Sequence, residues 1–159
     1  MLDVVVIVVS HNHGVHVRRM MASFFNLPDD VQAQLLAIDN TSQDGLPEWV
    51  SRCYPQVQFI QNARPQGFAH NINLAIHLSP SSRYVLLLNP DVECQPGLLE
   101  KLVAFMDAHT NVGVAGPQLL NSDGTRQSSA RRFSTPLSIL IRGLRLDGLL
   151  RNLRLVSEY

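Results

Sequence analysis

Cysteine, lysine and long apolar runs are scarce in this sequence of 159 residues. Its two cysteines form no CxxC pair, which excludes a zinc ribbon and a disulfide scaffold and indicates a reducing compartment. No apolar stretch approaches the ~18 residues that a membrane-spanning helix needs. The first residues also lack the basic region and the cleavage site of a secretory signal. We therefore expect a cytoplasmic protein that does not cross a bilayer.

Net charge is absent as well, since 13 lysines and arginines balance 13 aspartates and glutamates. A chain without excess positive charge is a poor polyanion binder, and we expect no nucleic-acid partner. The balance is uneven along the chain, because from Arg126 onward seven arginines stand against two acidic residues. This asymmetry indicates that the C-terminal part has a partner of its own.

Glycine is missing where two large classes of nucleotide-binding proteins need it. After the first apolar run, Val4–Val9, the turn holds a single glycine, Gly14, and neither GxGxxG nor GxxxxGK[ST] occurs. The single lysine, Lys101, falls in a predicted helix. The sequence therefore argues against dinucleotide oxidoreductases and P-loop enzymes.

The sequence does contain an alternation of strand and helix patterns. Short apolar runs predict strands, and apolar residues at helical spacing predict the helices between them. Predicted strands cover residues 4–9, 35–38, 57–60 and 84–88, and predicted helices cover 15–25, a short stretch around 49–50, 67–78 and 96–109. This order is typical of an α/β protein with an open, mostly parallel sheet flanked by helices, similar to a Rossmann fold. An Asp-Gly turn within residues 118–125 predicts a hairpin.

Ligands of such sheets bind at the carboxyl ends of the strands. Polar or acidic clusters occur at each of these ends, at residues 10–12, 39–42, 62–66 and 89–91. Two clusters contribute carboxylates, Asp39 and Asp91, and no phosphate-binding glycine loop accompanies them. A nucleoside diphosphate bound here would need a cation such as Mg²⁺ or Mn²⁺, for which hard oxygen atoms are suitable ligands.

Four segments, in this order and spacing, resemble the family 2 glycosyltransferases, which have the A-type nucleotide-sugar fold. They are VVSHN at 8–12, IDNTSQDG at 38–45, QGFAHNIN at 66–73 and LLNPDV at 87–92. The last segment is most similar to the bacterial rhamnosyltransferase-like branch, in which the metal-binding DxD motif is written Asn-x-Asp. The resemblance continues to about Phe133.

The resemblance implies roles for residues that follow the strands. Ser10, His11 and Asn12 would frame the base and ribose of the nucleotide. Asp39 would accept hydrogen bonds from the base imide or the ribose. The remaining implied contacts to the nucleotide sugar come from Asn40, Ser42, Gly67, Asn73 and Asn89.

A divalent metal is part of the same resemblance. Asp91 would bind the Mg²⁺ or Mn²⁺ ion through which both phosphates are held, with Asn89 in place of the first DxD carboxylate. Gly67–Asn73 would begin a helix whose N terminus faces the diphosphate or the sugar. The implied site thus joins a nucleotide pocket to a metal.

The implied activity is inverting transfer from a UDP- or dTDP-linked sugar to a glycan or lipid-linked acceptor, as in cell-surface polysaccharide biosynthesis. The Glu-Asp pair that supplies the catalytic base in this family does not follow the donor motifs. The catalytic base is therefore unknown, and we expect a truncated fold, with a donor-binding domain over residues 1–133 that transfers sugar slowly or not at all. The alternative is a non-catalytic nucleotide-sugar binding module. A nucleotidyltransferase is disfavoured because the first strand lacks its glycine-rich arginine loop.

Residues 134–159 are a separate basic, leucine-rich segment. Leucines and isoleucines are interleaved with Arg142, Arg145, Arg151 and Arg154, a composition typical of segments that lie in the membrane interface. The same leucines would also serve for packing on the sheet or on a further part of the fold, or for a homodimer contact. Two hypotheses stay open for this segment, peripheral contact with the inner face of the membrane and burial against protein.

Several candidate residues also have simpler explanations. Asp39 and Asp44 are of a type favoured at helix starts, and we expect Asp44 to be a helix cap. His11, His13 and His16 could be interpreted as a zinc site. They span a strand end and a helix start without a known ligand geometry, which makes this interpretation weak.

Overall fold

The computed structural model describes residues 1–28 and 30–129 of the chain. In chain order the elements are β1 (Leu2–Ser10), α1 (Gly14–Phe25), β2 (Ala33–Asp39), α2 (Leu46–Cys53), β3 (Gln58–Gln61), α3 (Phe68–Leu78), β4 (Ser82–Leu87) and α4 (Leu98–Ala108). Strand and helix alternate as the sequence predicts. Each predicted strand and helix is confirmed, with small differences at its ends.

In the described part of the chain the strands form one four-stranded sheet in the order β3-β2-β1-β4. All neighbouring strands are parallel, which confirms the prediction of an open, mostly parallel sheet. The register places Ser10 beside Asp39, and Asp39 beside Gln61. The carboxyl ends of β1, β2 and β3 therefore meet at one edge, where such sheets bind ligands.

Strand β1 is buried on both faces because helices cover both sides of the sheet. Val4, Val6 and Val8 pack with residues of α1 and α4, whereas Val5 and Ile7 pack with residues of α3. Each fully buried valine or isoleucine stabilises the fold by roughly 1.5–3 kcal/mol. The β-branched run that predicted this strand is thus the centre of the core.

Strand β4 lies at an edge of the sheet and is exposed on one face. Val85 is 44% exposed and Leu87 is 51% exposed, whereas Tyr84 and Leu86 pack against the core. The difference follows from strand order, since α3 packs mainly on β1 and β2. The apolar pattern of this strand predicts its position in the sequence but not its position in the sheet.

The chain divides into two compact units, residues 1–115 and 116–159, and only the start of the second is described. Within that start, Leu120 pairs with Arg126 in an antiparallel bridge. Gly124 in the connecting turn has a φ of +81°, a conformation that glycine adopts without strain. These contacts confirm the predicted hairpin.

The C-terminal predictions lie outside the described residues. They concern the basic, leucine-rich segment 134–159 and the domain boundary at residue 133, which stay predictions. Among residues 1–28 and 30–129, no helix has both the length and the apolar character needed to cross a membrane.

Arg83 joins the amino-terminal ends of β1 and β4 to α4. Its guanidinium pairs with Asp3 at 2.8 Å and with Asp107. The Tyr84 hydroxyl also donates to Asp107, at 2.6 Å. The hydrogen bond from Arg83 lowers the pKa of Asp3, and those from Tyr84 and Arg83 lower the pKa of Asp107. Both carboxyls therefore favour the folded state when they are ionised.

We expect Arg83→Gln to lower the melting temperature at neutral pH and to have less effect as the pH falls. A carboxyl whose pKa is lowered by folding stabilises the folded state above its ordinary pKa of 3.8, and this contribution disappears when it is protonated. The groups are exposed to solvent, and the effect is accordingly small. Melting curves from about pH 7 to about pH 2.5 measure it.

The matched control is Arg19→Gln, which removes an exposed arginine from α1. Among the described residues, Arg83 is the only positively charged residue that forms ion pairs. The Arg19→Gln control should therefore show no decrease in melting temperature that becomes smaller as the pH falls. If Arg83→Gln lowered the melting temperature by the same amount at every pH, ionised Asp3 and Asp107 would not be the source of the stabilisation.

Candidate functional site

Asp39, at the end of β2, is fully buried and holds the loop that follows it. Its Oδ2 accepts hydrogen bonds from the Ser42 backbone at 2.9 Å and from Gln61 Nε2 at 3.3 Å, and its Oδ1 accepts one from the Ser42 hydroxyl. A buried carboxylate is tolerated only when it is satisfied in this way. Helix α2 has no side-chain cap at its N-cap residue. Asp39 therefore organises the strand-end loop and does not cap the helix.

The loops that follow β1 and β2 are bound to each other. The Ser42 hydroxyl accepts a hydrogen bond from the Asn12 backbone at 2.8 Å. In return, Asn12 Oδ1 accepts one from the Gln43 backbone at 3.0 Å. The candidate residues Asn12, Asp39 and Ser42 thus form one connected group.

His11 is exposed at the same edge and is bound to the loop after β2. Its Nδ1 lies 2.6 Å from the carbonyl oxygen of Asn40. Because a carbonyl only accepts, Nδ1 is the donor in this contact. The zinc interpretation has no support in the described part of the chain, where no group of three or more His, Cys, Asp or Glu is placed to hold a metal ion.

Two residues of these loops have a left-handed backbone conformation, Asn12 with φ +54° and Thr41 with φ +66°. Asparagine tolerates this conformation, but for a β-branched residue such as Thr41 it is an outlier. The strain is on the order of 1–3 kcal/mol, and strain of this kind is concentrated at functional sites. The backbone of these loops thus supports the location that the sequence predicts for the site.

Asp44 is a helix cap, as predicted, but it serves two helices. Its Oδ2 accepts a hydrogen bond from the Gly14 backbone at 2.8 Å, at the start of α1. Its Oδ1 accepts one from the Leu46 backbone at 3.2 Å, at the start of α2. A carboxylate is favourable next to a helix N terminus. A Cβ at residue 14 would lie only 2.9 Å from Asp44 Oδ2, and the glycine therefore makes room for this contact.

Asn62 and Asn71, for which the sequence motifs imply no specific role, complete the edge. Asn40 Oδ1 accepts hydrogen bonds from the Gln66 backbone and from Asn62 Nδ2, each at 2.9 Å. Asn62 Nδ2 also donates to Asn71 Oδ1 at 2.8 Å. Asn71 is fully buried. The burial of Asn71 could have been inferred from the sequence, since Asn71 lies one helical turn before Ala75, on the apolar face of α3.

Ser10, Gly67 and Asn73 differ in their surroundings. Ser10 is 3% exposed, and its hydroxyl has no hydrogen-bond partner among the described residues. Gly67 is exposed at the N-cap of α3, with an ordinary extended backbone. Asn73 is exposed on the same helix. Ser10 is therefore enclosed at the edge of the sheet, whereas Gly67 and Asn73 are open to solvent.

Asn89 and Asp91 lie in the turn after β4, and both are exposed. The Leu88 backbone donates to the Ile7 carbonyl at 2.9 Å, which places the start of this turn beside β1. No described residue pairs with the Asp91 carboxylate. A free carboxylate with an amide two residues away offers hard oxygen atoms to Mg²⁺ or Mn²⁺. Such ions are often held by one or two carboxylates, with water and substrate phosphates as the other ligands, and these residues fit that pattern.

Comparison with known sequences finds relatives along most of the chain. Residues 5–155 match the profile of a family described as "Glycosyl transferase family 2". N-acetylglucosaminyl-diphospho-decaprenol L-rhamnosyltransferase of Mycobacterium tuberculosis is 29% identical over 154 residues, and the match covers 90% of this chain and 48% of that protein. The chain thus spans about half the length of the curated relatives that it matches.

Solved structures with the same arrangement of strands and helices include S. aureus TarS 1-349, with a TM-score of 0.61 at 17% identity over 84% of this chain and 42% of that one. The same TarS fragment in complex with UDP-GlcNAc gives 0.58 at 18% identity, over 69% and 32%. The mannosyltransferase PcManGT from Pyrobaculum calidifontis, in complex with GDP-Man and Mn²⁺, gives 0.53 at 21% identity, over 65% and 32%. At these identities the likeness establishes the fold, which is the A-type fold of glycosyltransferases.

Sequence and fold lead to the same assignment. The sheet is parallel with helices on both faces, and its strand-end loops hold the residues that the four motifs supply. The family profile covers nearly the whole chain. The chain therefore belongs to glycosyl transferase family 2.

Proposed function

We propose that this chain is the donor-binding domain of an inverting glycosyltransferase that takes a UDP- or dTDP-linked sugar together with Mg²⁺ or Mn²⁺. The acceptor is a glycan or a lipid-linked sugar. One observation carries the proposal: the loops after β1 and β2 are bound together around the buried Asp39, at the edge of the sheet where the exposed Asp91 carboxylate pairs with no residue of the described part of the chain.

Each candidate residue has a part in this proposal. Asp39 and Ser42 shape the loop against which the base and ribose lie, and Ser10, His11 and Asn12 border it from β1. Asn40 joins the two loops through its backbone, which donates to the Ser10 carbonyl at 2.7 Å. Gly67 and Asn73, open to solvent on α3, face the diphosphate or the sugar. A helix N terminus favours a negatively charged group of this kind.

The metal is assigned to Asp91 and Asn89. These two residues would hold the divalent cation, and the chemistry it would supply is neutralisation of the diphosphate as the leaving group. The proposal is supported by the PcManGT structure, which contains GDP-Man and Mn²⁺, and by TarS, which binds UDP-GlcNAc. The mycobacterial relative is named for a decaprenol-linked acceptor, which supports a lipid-linked acceptor and a role in cell-surface polysaccharide biosynthesis.

Calorimetric titration of the 159-residue chain with UDP and with dTDP tests the proposal directly. We expect binding of at least one nucleotide in the presence of Mn²⁺ and a loss of affinity of about tenfold or more with a chelator. Free uridine and thymidine are the matched controls, because they lack the diphosphate and should show no metal dependence. Absence of binding to both nucleotides with Mn²⁺ would contradict the proposed function.

We place the protein on the cytoplasmic side, in peripheral contact with the inner face of the membrane through residues 134–159. The support is the composition of that segment, in which leucines are interleaved with arginines. Sedimentation with anionic vesicles at low and high salt tests this placement. A dimer that does not bind vesicles would favour the protein-contact hypothesis instead.

A further inference from the structure

Asn71 is a buried amide in a position where α3 otherwise buries apolar side chains. It is fully buried, and its neighbours Ile72 and Ala75 are buried as well. Burial of an amide is unfavourable unless its polar atoms are hydrogen-bonded. The partners of Asn71 therefore indicate what the residue contributes.

Backbone groups determine which way the first amide of this cluster points. The Gln66 N–H donates to Asn40 Oδ1 at 2.9 Å, and the Gln66 carbonyl accepts from Asn40 Nδ2 at 3.1 Å. A backbone N–H only donates and a carbonyl only accepts. The Asn40 amide therefore has a single orientation, with its oxygen towards the Gln66 nitrogen.

This orientation propagates to the other two asparagines. The Asn62 atom that lies 2.9 Å from Asn40 Oδ1 must be a donor, which makes it Nδ2. The same nitrogen lies 2.8 Å from Asn71, which must present its oxygen. Both protons of the Asn62 amide are thus used. Asn71 Nδ2 is left with a longer contact of 3.5 Å to the Gln66 carbonyl.

The cluster ends at the loops that border the candidate site. The Asn40 backbone donates to the Ser10 carbonyl at 2.7 Å, and its carbonyl accepts from His11 Nδ1 at 2.6 Å. On the other side, Gln66 immediately precedes Gly67, the N-cap of α3. The three amides therefore connect the interior of α3 to both loops.

We propose that Asn71 is a positioning residue, which acts through Asn62 to hold Asn40 and the Gln66 backbone in the geometry that binds the nucleotide donor. This inference rests on the proposed function, since it concerns the same site. Asn71 itself is fully buried, and it would therefore act on a bound donor only through its neighbours. Its contribution is the oxygen that holds the Asn62 amide in one orientation.

Two isosteric variants distinguish this role from a general contribution to stability. Asn71→Asp keeps an oxygen opposite Asn62 Nδ2. It replaces the donor of the long contact to the Gln66 carbonyl with an oxygen and places a carboxylate at a fully buried position, which lowers stability. Asn62→Asp adds the same charge but places oxygen opposite oxygen at two contacts. We expect Asn62→Asp to weaken nucleotide binding by about tenfold or more and Asn71→Asp by about threefold or less.

Asn71→Leu, which has similar size and no polar atoms, should weaken binding by about tenfold or more. The matched control is Ile72→Ala, which removes packing from the same helix without touching the cluster. It should lower the melting temperature and leave the dissociation constant within about twofold of wild type. Calorimetry with UDP or dTDP and Mn²⁺, well below every melting temperature, gives these values.

Amide hydrogen exchange supplies a measurement that does not depend on nucleotide. In the ligand-free chain, Asn71→Leu should speed exchange at the Gln66 amide by a larger factor than at the amides of Val5 and Ile7 in β1, which report on global unfolding. Ile72→Ala should not act selectively on Gln66. The inference about Asn71 would be overturned, and the proposed function would stand, in either of two cases. In the first, the Gln66 amide is protected in Asn71→Leu as in wild type. In the second, the two aspartate variants lose equal affinity. If wild type binds neither nucleotide, the proposed function fails and the donor role of Asn71 fails with it, whatever the exchange shows.

Discussion

An Asp91→Ala variant is expected to bind UDP or dTDP equally weakly with Mn²⁺ and with a chelator. Asp91 is exposed in the turn after β4, and its carboxylate pairs with no residue among 1–28 and 30–129. Its removal leaves Asn89 as a single neutral ligand there. The diphosphate would then remain without its counter-ion. We expect the affinity measured with Mn²⁺ to fall about tenfold or more, equivalent to about 1.4 kcal/mol or more.

The matched control for this change is Glu93→Ala, which removes an exposed carboxylate two residues further along the chain. This variant should retain the full difference between Mn²⁺ and chelator. Neither change should alter the melting temperature greatly, because both side chains are exposed. A metal dependence that persists unchanged in Asp91→Ala would show that other residues hold the cation.

Asp39→Ala should lower both the free energy of unfolding and the affinity for nucleotide. The substitution leaves the N–H and the hydroxyl of the buried Ser42 without their acceptor, and the exposed Gln61 amide also loses a partner. An unsatisfied buried donor costs about 1–3 kcal/mol, and we expect a total loss on the order of 3 kcal/mol. Release of the loop should weaken nucleotide binding by about tenfold or more.

Urea unfolding and calorimetry measure the two effects of Asp39→Ala separately. Asp39→Asn is the conservative comparison, because its amide oxygen still accepts from the Ser42 backbone, and it should lose about 1 kcal/mol. If Asp39→Ala unfolds at the same urea concentration as wild type, the contacts of this carboxylate do not stabilise the loop. If Asp39→Ala loses stability but binds nucleotide as tightly as wild type, the loop after β2 is not part of the binding site.

The positions of strands and helices could be predicted because local patterns determine them. The β-branched run of β1 is compatible with a strand buried on both faces, and helix ends coincide with glycine and proline. Strand order depends on contacts between distant segments. The exposure of Val85 and Leu87 at the edge of the sheet was therefore not evident from the sequence.

The location of the candidate site was also predictable, since polar residues follow each apolar run, but its hydrogen-bond partners were not. Asp39 has the sequence context of a ligand-binding carboxylate, yet Ser42 and Gln61 contact both of its oxygens. The contact with Gln61 depends on the register of β2 and β3, which the sequence does not specify. For the same reason the contact between Asn62 and Asn71 emerges only from the fold.

The contact between Gly14 and Asp44 constrains how this family can vary. A side chain at residue 14 would displace the carboxylate that caps α1 and α2 together. We therefore expect the two positions, 30 residues apart, to vary together. Homologues with a larger residue at position 14 should lack aspartate at position 44. In a sequence alignment this covariation would mark where both helices start, even where the surrounding loops differ in length.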